Sequence, residues 1–466
     1  MATLLDQRVY RAGPLVRRLA AGGSDLGSQL KDALDLPLRG YLRSLVPAPE
    51  SVPNPHRLRL ASAMEQYLHR HGDRDVDAVC DEFLRVPMIQ QADHANLLLD
   101  HETFLNNYLY HAAAREAGVR FAVTSQCTTV SCLTRRAPVL GPTFLRTRGA
   151  LFGVFPLSKT TLKNASFCSL PGPLTMTFDQ IEGPRHDIDA DPVLGRLAGR
   201  SAPDAPTAYR QANDEIWRGL AVDHQVRRVA IDESVVSECI AAHLGDPSSP
   251  VFQLLFDPRV RDTFLETKRR LVLDPTNLAV NRAAPDFLWL RKGARLHPVE
   301  LVGTGARATW VVETNGAPLP VPMEPAAVAA AFRAGVLHAD RILAYLVRCL
   351  LPGVVAVGGT SQQDYVRLYR RMLLETHAAT PFLDQADVAR ISRVDLSRVG
   401  GRPLLELRGE ALDMVRMLGP GTRLRELDEQ FFDLPVGETI GDLRCVRHIE
   451  RAMAPHVPDP GIVYCR

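Results

Sequence analysis

Two Asp-His pairs seven residues apart, Asp93-His94 and Asp100-His101, are the first candidates for chemistry in this sequence. A histidine beside a carboxylate can act as an acid, a base or a metal ligand, because the carboxylate can fix which ring nitrogen carries the proton. On one continuous helix His94 and His101 would lie about 10 Å apart, too far to hold one metal ion. They could converge only if the chain turns between them. The residue types alone leave three interpretations open: a reaction centre, a metal site and polar helix caps.

The segments around these pairs predict a strand, a helix and a second strand. VPMIQQ, beginning at Val86, is a short strand candidate, Thr103 to Ala117 has helical periodicity, and VRFAVTSQ is the second strand candidate. Both strands are apolar enough for a buried sheet, and strand–helix–strand is the parallel crossover unit. A turn between the two Asp-His pairs is therefore expected.

In such a unit His94 lies on the loop that leaves the carboxyl end of a strand, where α/β sheets bind their ligands. Asp100 is then expected to be the N-cap of the helix. We take Asp93, His94 and His101 as candidate catalytic residues and assign no metal site. The candidate substrate-binding residues are amides in this unit and in a later helix: Gln91, Asn106, Asn107 and Gln362. For the two asparagines a solvated helix face is the alternative.

Two further segments could bind an anion. In GVVAVGGTSQQ an apolar strand candidate runs into Gly358-Gly359-Thr360-Ser361 and a helix, which offers backbone amides to a phosphate. It is neither a P-loop nor GxGxxG, and glycines are also common at such turns for steric reasons. In FPLSKTTLKN, Lys159 and Lys163 stand among hydroxyl side chains that suit phosphates, with a plain surface loop as the alternative. Five arginines are interpreted as mostly a solvated helix face: Arg341, Arg348, Arg367, Arg370 and Arg371.

The composition is that of a globular protein. The chain has 466 residues, 46% of them hydrophobic and 23% charged, with a net charge of +2. This near-neutral balance gives no general attraction to nucleic acid or to acidic membranes. The amino-terminal residues lack the long apolar run of a secretion signal, so a cytoplasmic location is expected.

Four regions are predicted from the patterns along the chain. Residues 1–85 are expected to be a helical amino-terminal segment, and residues 86–204 the first part of the core. Residues 205–283 are largely helical and rather polar, which predicts an inserted helical lobe. Residues 284–466 are expected to hold the second part of the core and carboxyl-terminal helices. The predicted class is α/β, with a Rossmann-like parallel sheet.

Parts of the sequence resemble the cysteine-adding enzyme family of bacillithiol biosynthesis. That family has Leu-Leu-Pro, five residues, Gly-Gly, five residues and Tyr, which is matched by Leu350-Leu351-Pro352, Gly358-Gly359 and Tyr365. Its early strand, Gln-Gln loop and Tyr-containing helix resemble Val86 to Tyr110, and its apolar strand, basic turn and strand resemble FLWLRKGARLHPVEL. The resemblance covers about a third of the chain and implies a Rossmann-like nucleotide-binding core with an inserted helical lobe.

The sequence departs from that family at three places. QQADHAN replaces its Gly-Gln-Gln-Pro-Gly, TSQCTTVSC stands where an acidic stretch is expected, and Gln362 replaces a Glu. A shared architecture with a different substrate is therefore implied.

The expected function is that of a bacterial biosynthetic enzyme that joins an amine- or thiol-bearing building block, resembling an amino acid, to a small acceptor. An adenine nucleotide is the candidate cofactor, the partner is a small-molecule substrate, and a homodimer is left open. Two alternatives remain: a non-catalytic Rossmann-like binding or partner subunit, and a metal-dependent enzyme that uses the two Asp-His pairs.

Overall fold

The fold is described from a computed structural model of the chain. It describes residues 12–21, 25–129, 133, 141–147, 149–220, 226–273, 285–312, 319–321, 323–405 and 424–440. Within helices and strands, the side chains of Asp93, His94, His101, Thr360 and Ser361, among others, lie outside this description. The predicted roles of those five side chains therefore remain predictions.

Five strands form one parallel sheet, and we label them β1 to β5 in chain order: Met88–His94, Phe121–Cys127, Arg227–Asp232, Val355–Gly358 and Ser397–Val399. Their order across the sheet is β3-β2-β1-β4-β5, and every neighbouring pair is parallel. This is the order of doubly wound α/β folds, in which β1 and β4 are neighbours although the chain leaves them in opposite directions. The predicted α/β class and the parallel sheet are confirmed.

The strands at the centre of the sheet are buried because both of their faces are covered. All four residues of β4 are buried, and so are the five central residues of β2. Gln90 of β1 pairs with Val357 of β4, so Gly358 is level with Gln91. After an irregularity in the register, Asp93 and His94 pair with the last two residues of β2. The carboxyl ends of β1, β2 and β4 therefore lie side by side.

Helices in the connections cover the sheet. The helix His101–Glu116 joins β1 to β2 and begins where the sequence predicts, since Asp100 Oδ1 accepts a hydrogen bond of 2.9 Å from the backbone N–H of Thr103. It is next to the helix Ala205–Gly219, which it contacts through His111 and Trp217. The strand β1 ends at His94 and the helix begins at His101. The chain therefore turns between these two histidines, as predicted.

Other helices lead into and out of β4. Arg341–Tyr345 continues as a π-helix, Leu346–Leu350, before β4, and Thr360–Ala379 follows it. Tyr345 and Tyr369 join these helices edge to face, with ring centroids 5.7 Å apart. The π-helix also contacts the helix Glu233–Leu244.

The described part of the amino-terminal segment is mainly helical. Its longest helix, Pro55–Arg70, begins with proline at its first position and is capped by Asn54, whose side chain accepts from the N–H of Arg57. Val76–Arg85 precedes β1, and Glu82 on it accepts hydrogen bonds of 2.7 Å from the backbone amides of Arg120 and Phe121, where β2 begins. The remaining helices there are Ala12–Ala21, Asp25–Lys31 and Leu38–Ser44.

The predicted inserted helical lobe, residues 205–283, is not confirmed. This region contains β3, which belongs to the central sheet and pairs with β2 over six residues. The helix prediction failed there because RRVAID is short, begins with two arginines and is buried only at Val229 and Ile231, as is typical of an edge strand with partly exposed residues. The helices of this region are Ala205–Gly219, Glu233–Leu244, Pro250–Phe256 and Pro258–Leu273.

Small antiparallel sheets lie in the connections before and after β3. Before β3 there is a three-stranded sheet of Phe144–Thr147, Ala150–Gly153 and Asp179–Glu182, and a two-stranded sheet of Leu174–Thr175 and Ser201–Ala202. After β3 there are two three-stranded sheets. One consists of Arg295–Pro298, Leu288–Lys292 and Leu337–Ala339, and the other of Glu300–Val302, Thr309–Val312 and Leu319–Val321. The remaining helices and turns are Lys159–Asn164, Phe167–Ser169, Leu194–Leu197, Gly305–Arg307, Pro325–Arg333, Gln385–Ile391, Leu424–Phe431 and Val436–Thr439. None of the helices in the described residues combines the length and the apolar character needed to cross a bilayer.

Candidate functional site

The strand order predicts a crevice at the carboxyl edge of the sheet, between β1 and β4, because doubly wound sheets bind ligands where the strand order reverses. The connection after β1 leads to β2 on one side and the connection after β4 leads to β5 on the other, so no crossover covers the gap between them. Asp93 and His94 end β1, and Gly358 ends β4. The structure thus brings the backbone of two sequence-predicted groups to one edge.

Arg348 is the charged side chain buried beneath this crevice. It lies on the π-helix and only 7% of its surface is exposed. One guanidinium nitrogen donates to Gln91 Oε1 at 2.8 Å and the other terminal nitrogen donates to Ser125 Oγ. Gln91 is itself fixed, because its side-chain nitrogen donates to Cys349 Sγ. The interpretation of Arg348 as a solvated arginine was therefore wrong, and that of Arg370, which is also buried, was wrong as well.

Arg348 has no ion-pair partner within the described part of the chain. Its Nε also lacks a hydrogen-bond partner there, although the atom is buried. A second buried donor without a partner among the described residues, Gln126 Nε2, lies at the end of β2 beside Asp93. The guanidinium also lies 5.8 Å from the ring centroid of Tyr345. Neutral oxygens and an aromatic ring do not fully replace the solvation that a buried charge loses, so the arrangement is costly. An anion from solution would complete this arrangement.

Glu233 is a buried carboxylate close enough to Arg348 for the arginine's positive charge to affect its pKa. It follows β3 directly and accepts hydrogen bonds from the N–H and Oγ–H of Thr128. Burial raises the pKa of Glu233 above its usual value, while Thr128 and the positive charge of Arg348 oppose that rise. The carboxyl edge therefore carries a cation at β1 and β2 and an anion at β3.

The thiols at this edge are not poised as nucleophiles. Burial, with the nearby charge of Glu233, raises the pKa of Cys127 to about 12. Burial likewise raises the pKa of Cys168 to about 12 and that of Cys349 to about 11. The thiolate is the reactive form, so these three cysteines stay protonated and unreactive at neutral pH.

The glycine turn after β4 opens the long helix Thr360–Ala379, with Gly359 at the N-cap. Glu102 Oε1 lies 3.8 Å from the position that a Cβ atom on Gly359 would take. The negative charge of Glu102 therefore already interacts with the positive end of this helix, where the phosphate cradle at Gly358 to Ser361 was predicted. The geometry therefore favours Arg348 over this helix end as the main hydrogen-bond donor to a bound anion.

Gln362 serves the interior rather than the crevice. Its Nε2 donates to the carbonyl of Ala356 at 2.8 Å and to Ser397 Oγ at 3.2 Å, which connects β4 to β5. A Cβ atom on Gly358 would lie only 2.0 Å from Gln362 Oε1. This close approach gives the glycine a steric reason that is independent of any phosphate.

Asn106 and Asn107 are buried rather than solvated. Asn107 donates to the carbonyl of Thr103 at 2.9 Å and accepts from Arg228 Nε at 3.0 Å, so its amide is engaged within the protein. Asn106 packs against Gly401 beyond the end of β5. The two amides therefore connect the first helix to neighbouring segments, and neither lies with Gln91 and Arg348.

We expect Gly401→Ala to lower the free energy of unfolding by about 2–4 kcal/mol. Gly401 has φ of 73°, and a Cβ atom there would lie 1.5 Å from Asn106 Oδ1, so backbone strain and overlap add. Gly72→Ala is the matched control, because its φ is 69° but nothing lies within 4 Å of the added atom. Urea unfolding measures both variants, and equal losses would contradict the close packing of Asn106 on Gly401.

Lys159 and Lys163 lie on the short exposed helix Lys159–Asn164, which Ser158 caps by accepting from the N–H of Thr161. Among the described residues, neither lysine forms a hydrogen bond or an ion pair with Arg348.

For metals, one group of described side chains has ligand atoms within 4.8 Å of one another: Glu65, His69 and Asp77. All three are exposed on amino-terminal helices, and none of them stands at a strand end.

No protein-family model matches the chain, and no curated protein is similar to it.

Proposed function

We propose that this protein is an enzyme that joins an amine- or thiol-bearing building block to a small acceptor, with the phosphates of an adenine nucleotide bound at Arg348. The crevice between β1 and β4 takes the anionic group, and β3 supplies the carboxylate side of the site. The resemblance of the segment from Leu350 to Tyr365 to a nucleotide-assisted biosynthetic family favours the same class of reaction.

Arg348 is the observation that carries this proposal. Guanidinium groups suit phosphate oxygens because their planar N–H groups donate along fixed directions. In Arg348 two of these directions are taken by Gln91 and Ser125, which orient the group, and the buried Nε–H has no partner among the described residues. A π-helix, which is often found at functional sites, carries this arginine.

His94 and Asp93 complete the proposed chemistry. They end the strand that also carries Gln91, so the loop that follows reaches the same crevice. A histidine at that position would donate a hydrogen bond to the negative charge that develops on a leaving phosphate, and Asp93 would fix its tautomer. His101, at the start of the next helix, remains a candidate for the same role.

We expect ADP, ATP and inorganic pyrophosphate to stabilise the purified protein against heat. A ligand at 100 times its dissociation constant adds about 2.7 kcal/mol, which raises the melting temperature by a few degrees. Sodium chloride at matched ionic strength is the control for charge screening. Zinc and magnesium without nucleotide test the metal-dependent alternative. Absence of a shift with every phosphate compound would contradict the proposal and favour a non-catalytic binding subunit.

A further inference from the structure

An open cleft of about 380 Å³ lies beyond the carboxyl end of β3, next to the Arg348 site. Thr128 after β2 and Asp232 and Glu233 at the end of β3 form one wall. Gly335 and His338, which connect the helix Pro325–Arg333 to a short strand, form another. The proposed phosphate site at Arg348 does not use this cleft, but Glu233 lines the cleft and also lies close to Arg348.

Glu233 presents a fixed carboxylate to the cleft. The backbone N–H of Thr128 donates to Glu233 Oε2 at 2.6 Å, and the Thr128 hydroxyl donates to the same oxygen. Both donors orient the carboxylate, because together they hold one oxygen in place. The Cys127 thiol is a further hydrogen-bond partner of this carboxylate.

His338 lines the same cleft and carries an acceptor nitrogen. Its Nε2–H donates to the carbonyl of Gly335 at 3.1 Å, which leaves Nδ1 as the unprotonated nitrogen of the neutral ring. Burial lowers the pKa of His338 to about 4, so the ring is neutral at physiological pH. Nδ1 is buried and has no partner in the described part of the chain. A ligand that enters this cleft with an N–H donor would satisfy it.

The charges around the cleft favour a cation. Arg333 on its rim is already paired with Glu238, whose Oε1 lies 3.0 Å from the arginine Nε. The cleft carries four carboxylates and two arginines: Asp204, Asp232, Glu233 and Glu238 against Arg70 and Arg333. Negative charge is therefore in excess among the side chains that line the cleft, while Arg291 acts on His338 and Arg348 acts on Glu233 from outside it. His338 Nδ1 is the buried acceptor there that has no partner among the described residues.

We propose that this cleft binds the primary amine of a substrate as its ammonium form, with the Glu233 carboxylate and His338 Nδ1 as the accepting groups. The three N–H donors of an ammonium can serve both acceptors, and its charge complements the carboxylate. This inference deepens the proposed function, on which it rests, by assigning the amine-bearing building block to β3 and the phosphates to Arg348.

Isothermal titration with 1,4-diaminobutane tests the amine site without nucleotide. We expect the diamine to bind the wild-type protein and its N,N′-diacetyl derivative, which lacks the charge, not to bind. Glu233→Gln keeps the shape of the side chain and removes the charge, and it should weaken binding by at least about tenfold. His338→Phe keeps a ring and removes both nitrogens, and we expect it to weaken binding as well.

Glu300→Gln is the matched control, because Glu300 is an exposed glutamate outside the cleft and its loss changes the net charge equally. Its affinity for the diamine should equal that of the wild type. Equal affinity in the wild type and in both cleft variants would overturn the proposal, and so would the absence of binding at millimolar diamine. Pyrophosphate titrations of the same samples report on Arg348 alone, so failure of either site is recognised separately.

Discussion

Arg348→Met is expected to unfold at a denaturant concentration close to that of the wild type, and to lose the stabilisation that nucleotides and pyrophosphate give. Arg348 contributes little to the stability of the protein without ligand, because it is a buried cation that donates to the neutral oxygens of Gln91 and Ser125. Replacing such a charge by an apolar side chain of similar length changes the free energy of unfolding by about 2 kcal/mol or less. Urea unfolding with and without pyrophosphate measures both effects.

Arg57→Met is the matched control, since Arg57 is also buried, with 1% of its surface exposed. Its guanidinium meets the carboxylate of Glu50 at 2.8 Å and the carbonyl of Pro352 at 3.0 Å. Removing Arg57 leaves the Glu50 carboxylate without its cation, whereas removing Arg348 leaves only neutral oxygens without their donor. The loss for Arg57→Met should therefore be larger, about 2–4 kcal/mol, and phosphate compounds should still stabilise this variant. A loss for Arg348→Met as large as that for Arg57→Met, with binding retained, would make Arg348 a structural residue.

Acidification from pH 7 to pH 5 is expected to destabilise the protein through His243. This residue is fully buried, and its Nδ1 accepts a hydrogen bond from Ser249 Oγ at 2.7 Å. Burial, with the charges of His56 and Arg59, lowers the pKa of His243 from 6.5 to about 3. Below pH 6.5 the unfolded chain binds a proton at this position and the folded chain does not, so stability falls with pH. For one such histidine the loss between pH 7 and pH 5 is about 2 kcal/mol.

Comparison with His243→Gln isolates this contribution, because the amide oxygen can still accept from Ser249 and does not titrate. The pH dependence of the variant should be smaller than that of the wild type by about 2 kcal/mol over this range. His338, whose pKa is lowered to about 4, acts in the same direction in both proteins. Three carboxyl groups whose pKa burial raises act in the opposite direction in both: Glu233, Asp340 and Asp428. Identical pH profiles would show that His243 has the same pKa in the folded and unfolded states, which would contradict the account.

The periodicity of the sequence predicts the centre of the fold because the elements there are regular and apolar. Val86 to Gly118 contains a strand, an N-cap and a helix in the predicted places, and the run before Gly358 is a buried strand. The strand β3 was missed, since its burial alternates and its first two residues are arginines. Its pairing with β2 depends on a partner about 100 residues earlier in the chain, which local propensity does not report.

The candidate site was predicted only in part, because some of its residues meet through contacts that are distant in the sequence. Gln91 was selected as a polar residue at a strand end, and it contacts Arg348 as part of the candidate site. Arg348 was missed because it was grouped with Arg341 on a solvated helix face, whereas the chain continues there as a buried π-helix. One signal was available: within LVRCLL the arginine is the single polar residue in an apolar run. The pairing of Thr128 with Glu233 has no local signal, since β2 and β3 bring these residues together.

Isothermal titration of ADP into the wild-type protein and Arg348→Met, at one ionic strength, tests the central claim most directly. Nucleotide binding at a buried guanidinium predicts saturable binding to the wild type and binding to the variant that is weaker by at least about thirtyfold. Equal affinities of the two proteins for ADP, or no detectable binding to the wild type, would contradict the assignment of the crevice between β1 and β4 as a phosphate site.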